Sequence, residues 1–472
     1  MAMGTRREHQ EELWIPSCTL ARPTSHPFYE RLNQLLEEHD FDRFAEAQCQ
    51  RFYAAIMGRP GLAPGVYFRL LLVGYFEGID SERGIVWRAG DSLSIREFVG
   101  IPLSEGAPDH TTISRTRRLI DLETHRQVFA WVLGLLADAG LVKGKRIGID
   151  ATNLEANAAL RSIVRRDNAQ SYEDFLKGLA QQSGIPTPTR EDLARVDRKR
   201  KKKGSNEEWV NPHDLDARIT KMKNGSTHLA HKAEHAVDMD TGAVVAVTLQ
   251  AADLGDTTTV KETLAEAGTT VAELIEREAD IRPAEKPQVH LGGIEEVVAD
   301  KGYHSGPALL EMKAAAVRTY IPEKKQPGKR HWAGKEDQRD VVYANRQRLQ
   351  RTKGKRLLQK RGELIERTFA HCYETGGMRR THLRKHNNIL KRLLIHVAGM
   401  NLGLLLRSTY GIGTPRGLQG LSFVLRFLVV LIAQAVGIEK SQLTEAAVTP
   451  DCRVTPLHRV PRCAHFKRPD IQ

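Results

Sequence analysis

Apolar positions recur at helical spacing through the first third of the chain. Phe28, Leu32, Leu35 and Leu36 form one stripe, with Ser25 as a candidate cap and Pro27 in the first turn. Behind a Gly/Pro-rich turn at Arg59–Gly65, the run Val66–Phe76 (VYFRLLLVGYF) is apolar on nearly every side, the pattern of a buried helix. Ser94–Gly100 predicts a short helix. Gly106–Asp109 predicts a turn, with Asp109 capping a further helix through His110–Arg118. Residues 1–142 therefore read as an all-helical region.

The pattern changes at Lys143. Ile147-Gly-Ile-Asp150 is a short β-type run ending in an acid. A polar stretch at about 161–225 lacks clear apolar periodicity and reads as a basic insertion, part loop and part helix. It contains the run Arg198–Lys203 and Trp209, which is expected to pack in a core. Two alternating runs, His231–Asp240 and Gly242–Ala251, flank an Asp-Thr-Gly turn and predict a hairpin. Asp256 is placed to cap a helix over Thr257–Glu278. Glu296–Asp300 is a second short apolar run ending in an acid. Pro307–Ala315 predicts a helix and Val317–Pro322 a strand. One long basic helix is expected from about Arg346 to Tyr373, then a buried helix over Leu390–Leu406. Residues 143–410 thus form an α/β region, and 411–472 a C-terminal helical appendage and tail.

Charge narrows the partners. Among 472 residues, 71 Lys+Arg outweigh 58 Asp+Glu, a net charge of +13. This favours a polyanion, nucleic acid before an acidic membrane, although a merely basic soluble protein has the same balance. The ordinary apolar fraction, 40%, excludes a wholly disordered chain and a polytopic membrane protein. The five cysteines are widely spaced without a Cys-x-x-Cys pair, which points away from a zinc ribbon or disulfide framework and towards a reducing, cytoplasmic setting. Leu421–Ile438 approaches membrane-spanning length, but Arg426 and Gln434 interrupt it; a buried helix is expected there and no membrane association.

Two constellations carry candidate chemistry. Short helix, turn, then a helix bearing Thr112, Ser114, Arg115, Arg117 and Arg118 is what a helix-turn-helix needs, though a solvated helix face looks the same. Asp150 and Asp300 close strand-like runs, where a rigid sheet can hold metal-binding carboxylates open to solvent. Glu363 and Glu366 are both candidates for a third acid. Glu363 has Arg367 four residues on, as a surface pair would, whereas Glu366 lies on the edge of the apolar stripe.

Three blocks make the chain similar to a known family. They are Gly148-Ile-Asp150-Ala-Thr152, Val298-Ala-Asp300-Lys-Gly-Tyr303-His-Ser305 and Glu363-Leu-Ile-Glu366-Arg-Thr-Phe369-Ala-His371. In this order they resemble bacterial insertion-sequence transposases of the DDE class, over roughly residues 25–410. The resemblance implies a ribonuclease-H-like mixed sheet flanked by helices, preceded by an all-α DNA-binding domain. It implies Asp150, Asp300 and Glu366 as catalytic residues holding two Mg2+ ions, with Mn2+ as a substitute. It further implies cutting at terminal inverted repeats, joining of 3′ ends to target DNA, and a dimer or larger assembly on DNA. A cut-only nuclease of this fold and a non-catalytic DNA-binding remnant are the rival readings. The pattern departs around the last acid: Gln359 stands where a Tyr is often found and Tyr373 where a Lys is often found. Lys360, Arg361 and Arg367 are the candidate substitutes for DNA contact. Lys301 and Tyr303 are candidates for substrate phosphate, and Arg379 and Arg380, with Arg384 and Lys385, for the DNA backbone.

Overall fold

A computed structural model of the chain describes residues 26–416, apart from 55–57, 59–60, 201–203, 223–224, 284–285 and 326–329. The Ser25 cap, part of the 198–203 basic run and the apolar segment 421–438 lie outside the described residues.

The helical region opens with α1 (Pro27–Glu38), capped by His26, whose ring accepts the Phe28 N–H. Then come α2 (Phe41–Cys49), α3 (Pro64–Glu77), α4 (Glu82–Asp91), α5 (Leu93–Val99), α6 (His110–Leu119) and α7 (Leu122–Asp138). Local chemistry sets their ends. Ser81, Ser92, Asp109 and Asp121 each accept a backbone N–H from the following first turn. Gly78 and Gly100 close α3 and α5 at φ 69° and 80°, where a side chain would strain the backbone. The uniformly apolar α3 is buried along nearly its whole length, as its sequence requires.

The sheet begins with β1 (Arg146–Glu155). An insertion follows: β2 (Val164–Arg165), α8 (Tyr172–Gln182), α9 (Arg190–Lys199) and β3 (Trp209–Val210). It builds its own small core around Trp209, which packs with Ile163, Ala217 and Leu229 and is 1% exposed. Next are β4 (Arg218–Lys221), β5 (Thr227–Asp238) and β6 (Val244–Ala251), the last two joined through the Asp-Thr-Gly turn with Gly242 at φ 84°. Helix α10 (Asp256–Ile281) leads to β7 (Glu296–Ala299), α11 (Gly306–Ala314) and β8 (Arg318–Tyr320).

In the sheet β5 lies between β1 and the β4 and β6 edge, and β7 and β8 extend the other side. The hairpin strands β5 and β6 and the pair β1–β5 are antiparallel; β1–β7 and β7–β8 are parallel. This order, with helices on both faces, is the mixed sheet of a ribonuclease-H-like core.

The expected long basic helix is two helices, α12 (Glu336–Gln350) and α13 (Thr352–Phe369). Arg351 between them is extended, with ψ 153°. Gly354 lets the start of α13 press onto Arg348 and Leu349 of α12; a Cβ there would collide with that backbone. A wide π-type turn, Ala370–Thr375, continues α13. Finally α14 (His386–Tyr410) packs between the helical region and the sheet, against α3, α7 and β6. Lys391 donates to the carbonyls of Arg117 and Ile120, and Asn401 bridges the backbone of Val244 in β6. Length and composition would let α14 cross a membrane, yet 94% of its apolar window is buried inside the protein.

Candidate active site

The parallel register of β1 and β7 pairs Ile149 with Ala299. Asp150 and Asp300 are the next residues on the two strands, so two acids far apart in sequence become neighbours. Asp150 does not end its strand, as its run suggests: β1 continues along β5 to Glu155, and Asp150 sits where the pairing with β7 stops. Gly148, Asp150 and Val298 share the face that α13 covers. A Cβ at Gly148 would press on Ile365, Val298 packs with Leu357, and Asp150 meets Arg361.

Asp300 opens a tight turn, Lys301–Tyr303, and its Oδ1 accepts the Gly302 N–H at 2.5 Å. A methyl group at Gly302 would collide with a carboxylate oxygen of both Asp300 and Asp256, so these two side chains converge. Asp256 is not the cap of α10. Gly255 holds that position, and Asp256, the first helical residue, instead pairs with Lys232 Nζ at 2.6 Å.

Below the turn lies a polar network that sequence reasoning missed. Glu234 of β5 is buried and accepts hydrogen bonds from Tyr303 Oη at 2.7 Å, from Thr259 at 3.0 Å and from Thr263. Burial pushes its carboxyl above the ordinary value, against the pull of the Thr263 and Tyr303 hydroxyls and of Lys232. Lys232 in turn donates to Thr259. Tyr303 is thus an inward anchor for the turn that carries Asp300, and no phosphate can reach its hydroxyl. The signal was present in His231-Lys-Ala-Glu-His235: four polar residues in a strand flanked on both sides need buried partners.

The third acid is placed differently. Glu366 lies on the exposed side of α13, and Glu363 forms the surface pair with Arg367, at 2.6 Å. Among the described residues no three His, Cys, Asp or Glu side chains stand together as a ready metal cluster. Asp150 and Asp300 nevertheless offer oxygen donors alone, the chemistry a hard divalent cation prefers.

The candidate DNA contacts divide. Arg115, Arg118, Lys301 and Arg380 are exposed, and Thr112, Ser114 and Lys360 half-buried. Arg117 is turned inward, buried and paired with Glu82 of α4, so it tethers α6 rather than joining an exposed face. Arg379 is half-buried and donates to Thr152 at 3.1 Å and to Glu374. Its segment continues beside the end of β1, where Thr381 N–H bonds the Glu155 carbonyl at 2.8 Å. A groove of about 610 Å³ opens there, lined by Thr152, Asn153, Lys221, Lys232, Asp256 and Arg379 among others.

Two family models match the chain: a transposase domain (DUF772) over residues 18–119, and a transposase DDE domain over residues 183–402. The chain belongs to the DDE transposases of insertion sequences. No curated protein matches it. Strand β1 with Asp150 falls between the two matched regions, and its pairing with β5 and β7 is what joins that acid to the DDE domain of the transposase. Membership brings DNA binding and a general use of divalent metal ions.

Proposed function

We propose that this transposase cuts DNA at the terminal inverted repeats of its own element and joins the 3′ ends to target DNA, with Asp150, Asp300 and Glu366 as its catalytic carboxylates. The observation that carries the reading is the strand register that makes Asp150 and Asp300 neighbours, with Asp150 against α13, the helix that bears Glu366. The three acids would hold two Mg2+ ions, or Mn2+ in their place, which supply positive charge to the attacking and leaving oxygens. The chain itself positions. The Glu234–Tyr303 bond fixes the turn after Asp300. Lys301 and Arg380, exposed near the two acids' strands, draw in the phosphate backbone. The groove beside Thr152 and Arg379 gives a strand a path past Asp150. Cutting uses water as nucleophile and joining uses the freed 3′ hydroxyl. Both are in-line displacements at phosphorus that depend on alignment and charge.

Residues 1–142 form the DNA-binding region in this reading, 143–410 the catalytic domain, and two ends are brought together by a dimer or larger assembly on DNA. The test is cleavage and strand transfer with Mg2+ on DNA carrying the repeats that flank the gene. D150N, D300N and E366Q, each shown to fold by circular dichroism, should lose both reactions. Wild-type rates in all three would end the reading. Cleavage without strand-transfer products in the wild type would reduce it to a cut-only nuclease.

A further inference from the structure

We infer that Arg361 is an internal cation that occupies Asp150 in the DNA-free enzyme and must leave before a divalent metal binds there. The inference rests on the reading of Asp150 as a metal ligand.

Arg361 Nη2 lies 2.5 Å from Asp150 Oδ2. The other carboxylate oxygen, Oδ1, accepts the Ala151 N–H at 2.9 Å. Both oxygens are therefore engaged. The side chains are only 14% and 24% exposed, so water and salt screen the pair weakly. Mg2+ binds a carboxylate oxygen at roughly 2.0–2.1 Å and tolerates little distortion. It would take the side of Oδ2 that the guanidinium now fills, and the two positive charges repel. Metal and Arg361 are mutually exclusive partners for that oxygen.

The displaced guanidinium needs another anion, because a buried charge left unpaired is costly. Among the described residues neither Nε nor Nη2 finds a hydrogen-bond partner, so the contact with Asp150 is held by charge rather than by a fixed hydrogen-bonding fork. A DNA phosphate offers the planar guanidinium two acceptor oxygens. Binding of DNA thus moves Arg361 from carboxylate to phosphate and frees Asp150. By linkage, metal and DNA strengthen each other's binding. The consequence is that the enzyme holds its catalytic metal weakly until a substrate phosphate has arrived.

The experiment titrates Mn2+ into the full-length protein without DNA and follows free Mn2+ by electron paramagnetic resonance. R361Q, which removes the charge, should bind Mn2+ about tenfold more tightly than wild type, within the usual range of coupling between sites. R361K, which keeps a cation, should stay within about threefold of wild type. A mixed-sequence DNA duplex should tighten Mn2+ binding by the wild type and add much less in R361Q. Should R361Q fail to fold, R361M preserves the packing stem and gives the same readout. Mn2+ affinity in R361Q equal to or below wild type overturns the inference. D150N separates the two levels. If D150N loses Mn2+ binding while R361Q matches wild type, the metal ligand stands and the competing arginine falls. If D150N binds as wild type does, both fall.

Discussion

Tyr373 donates its phenol to Nε2 of His235 at 2.6 Å, in the buried seam between the π-type turn and β5. The tautomer follows from the other ring nitrogen. Thr368 Oγ1 spends its proton on the Ile365 carbonyl, so it accepts from Nδ1–H of His235 at 3.1 Å. Nε2 is then the acceptor that Tyr373 satisfies. His235 pairs across the sheet with Asp150, so this contact sets where α13 sits over that acid. Y373F removes the proton that Tyr373 aims at Nε2 and leaves a buried acceptor without it, which costs about 1–3 kcal/mol. Urea denaturation of Y373F should show that loss. An unchanged midpoint would mean that the seam does not hold α13.

Burial also makes the fold acid-sensitive before its carboxylates titrate. Desolvation pushes the imidazoles of His125 and His235 down to about 3, and that of His396 well below its ordinary value. In the unfolded chain each takes a proton near 6.5. The unfolded state therefore binds more protons at every pH between about 3 and 6.5, and stability rises with pH across that window. Below 6.5 each imidazole should remove about 1.4 kcal/mol per pH unit. Urea melts at pH 7.5 and 5.5 measure this; equal stabilities would show that the rings are not held neutral.

Most elements follow from periodicity because each depends on near neighbours in sequence. Asp109 and Gly100 act within one turn, and the β5–β6 hairpin within its own Asp-Thr-Gly turn. What the sequence hides depends on distant contacts. The α12–α13 break is set by a close approach across Gly354, in a stretch whose apolar spacing runs on unbroken. Arg117 looks like its exposed neighbours Arg115 and Arg118 until Glu82 is brought against it. Asp256 has a capping residue's position by spacing, yet Lys232 takes its carboxylate. The two candidate aspartates were legible from the short apolar runs that precede them and from the family resemblance, but their adjacency is a matter of sheet register.

Gly302 is a steric requirement of the candidate site. Its φ is not in the left-handed region, so the cost of a side chain lies in the space rather than the backbone. G302A drives a methyl group into the carboxylates of Asp256 and Asp300. Activity and Mn2+ affinity should both fall about 10–100-fold, as when the supports of metal ligands are disturbed. The measurement is an Mn2+ titration beside the cleavage assay. Retention of wild-type affinity would show that the convergence of these two acids does not matter to metal binding.

The choice between the two glutamates of α13 can be made by one comparison. Glu363 is spent on an exposed pair with Arg367, an arrangement worth about 0.3–0.5 kcal/mol on a helix. E363Q should leave strand cleavage within about twofold of wild type and stability almost unchanged. E366Q should lower cleavage by about a hundredfold or more, the scale of a lost charge-stabilising group. The reverse ranking would move the third acid to Glu363.

Arginines of α6 should separate into two behaviours. R117A leaves Glu82 without its partner in a site where both side chains are mostly covered, at 8% and 15% exposed. Breaking such a pair costs about 3–5 kcal/mol, so R117A should show a large drop in thermal and urea stability. Arg115 and Arg118 are exposed, and R115A and R118A should fold as wild type does. If that face binds the phosphate backbone, each should weaken DNA binding and reduce the slope of log affinity against log salt by about 1. Fluorescence anisotropy with a labelled duplex over a salt series reads this directly. Slopes identical to wild type in both variants would remove the exposed face of α6 from the DNA interface, while the stability of R117A would still report its tether to α4.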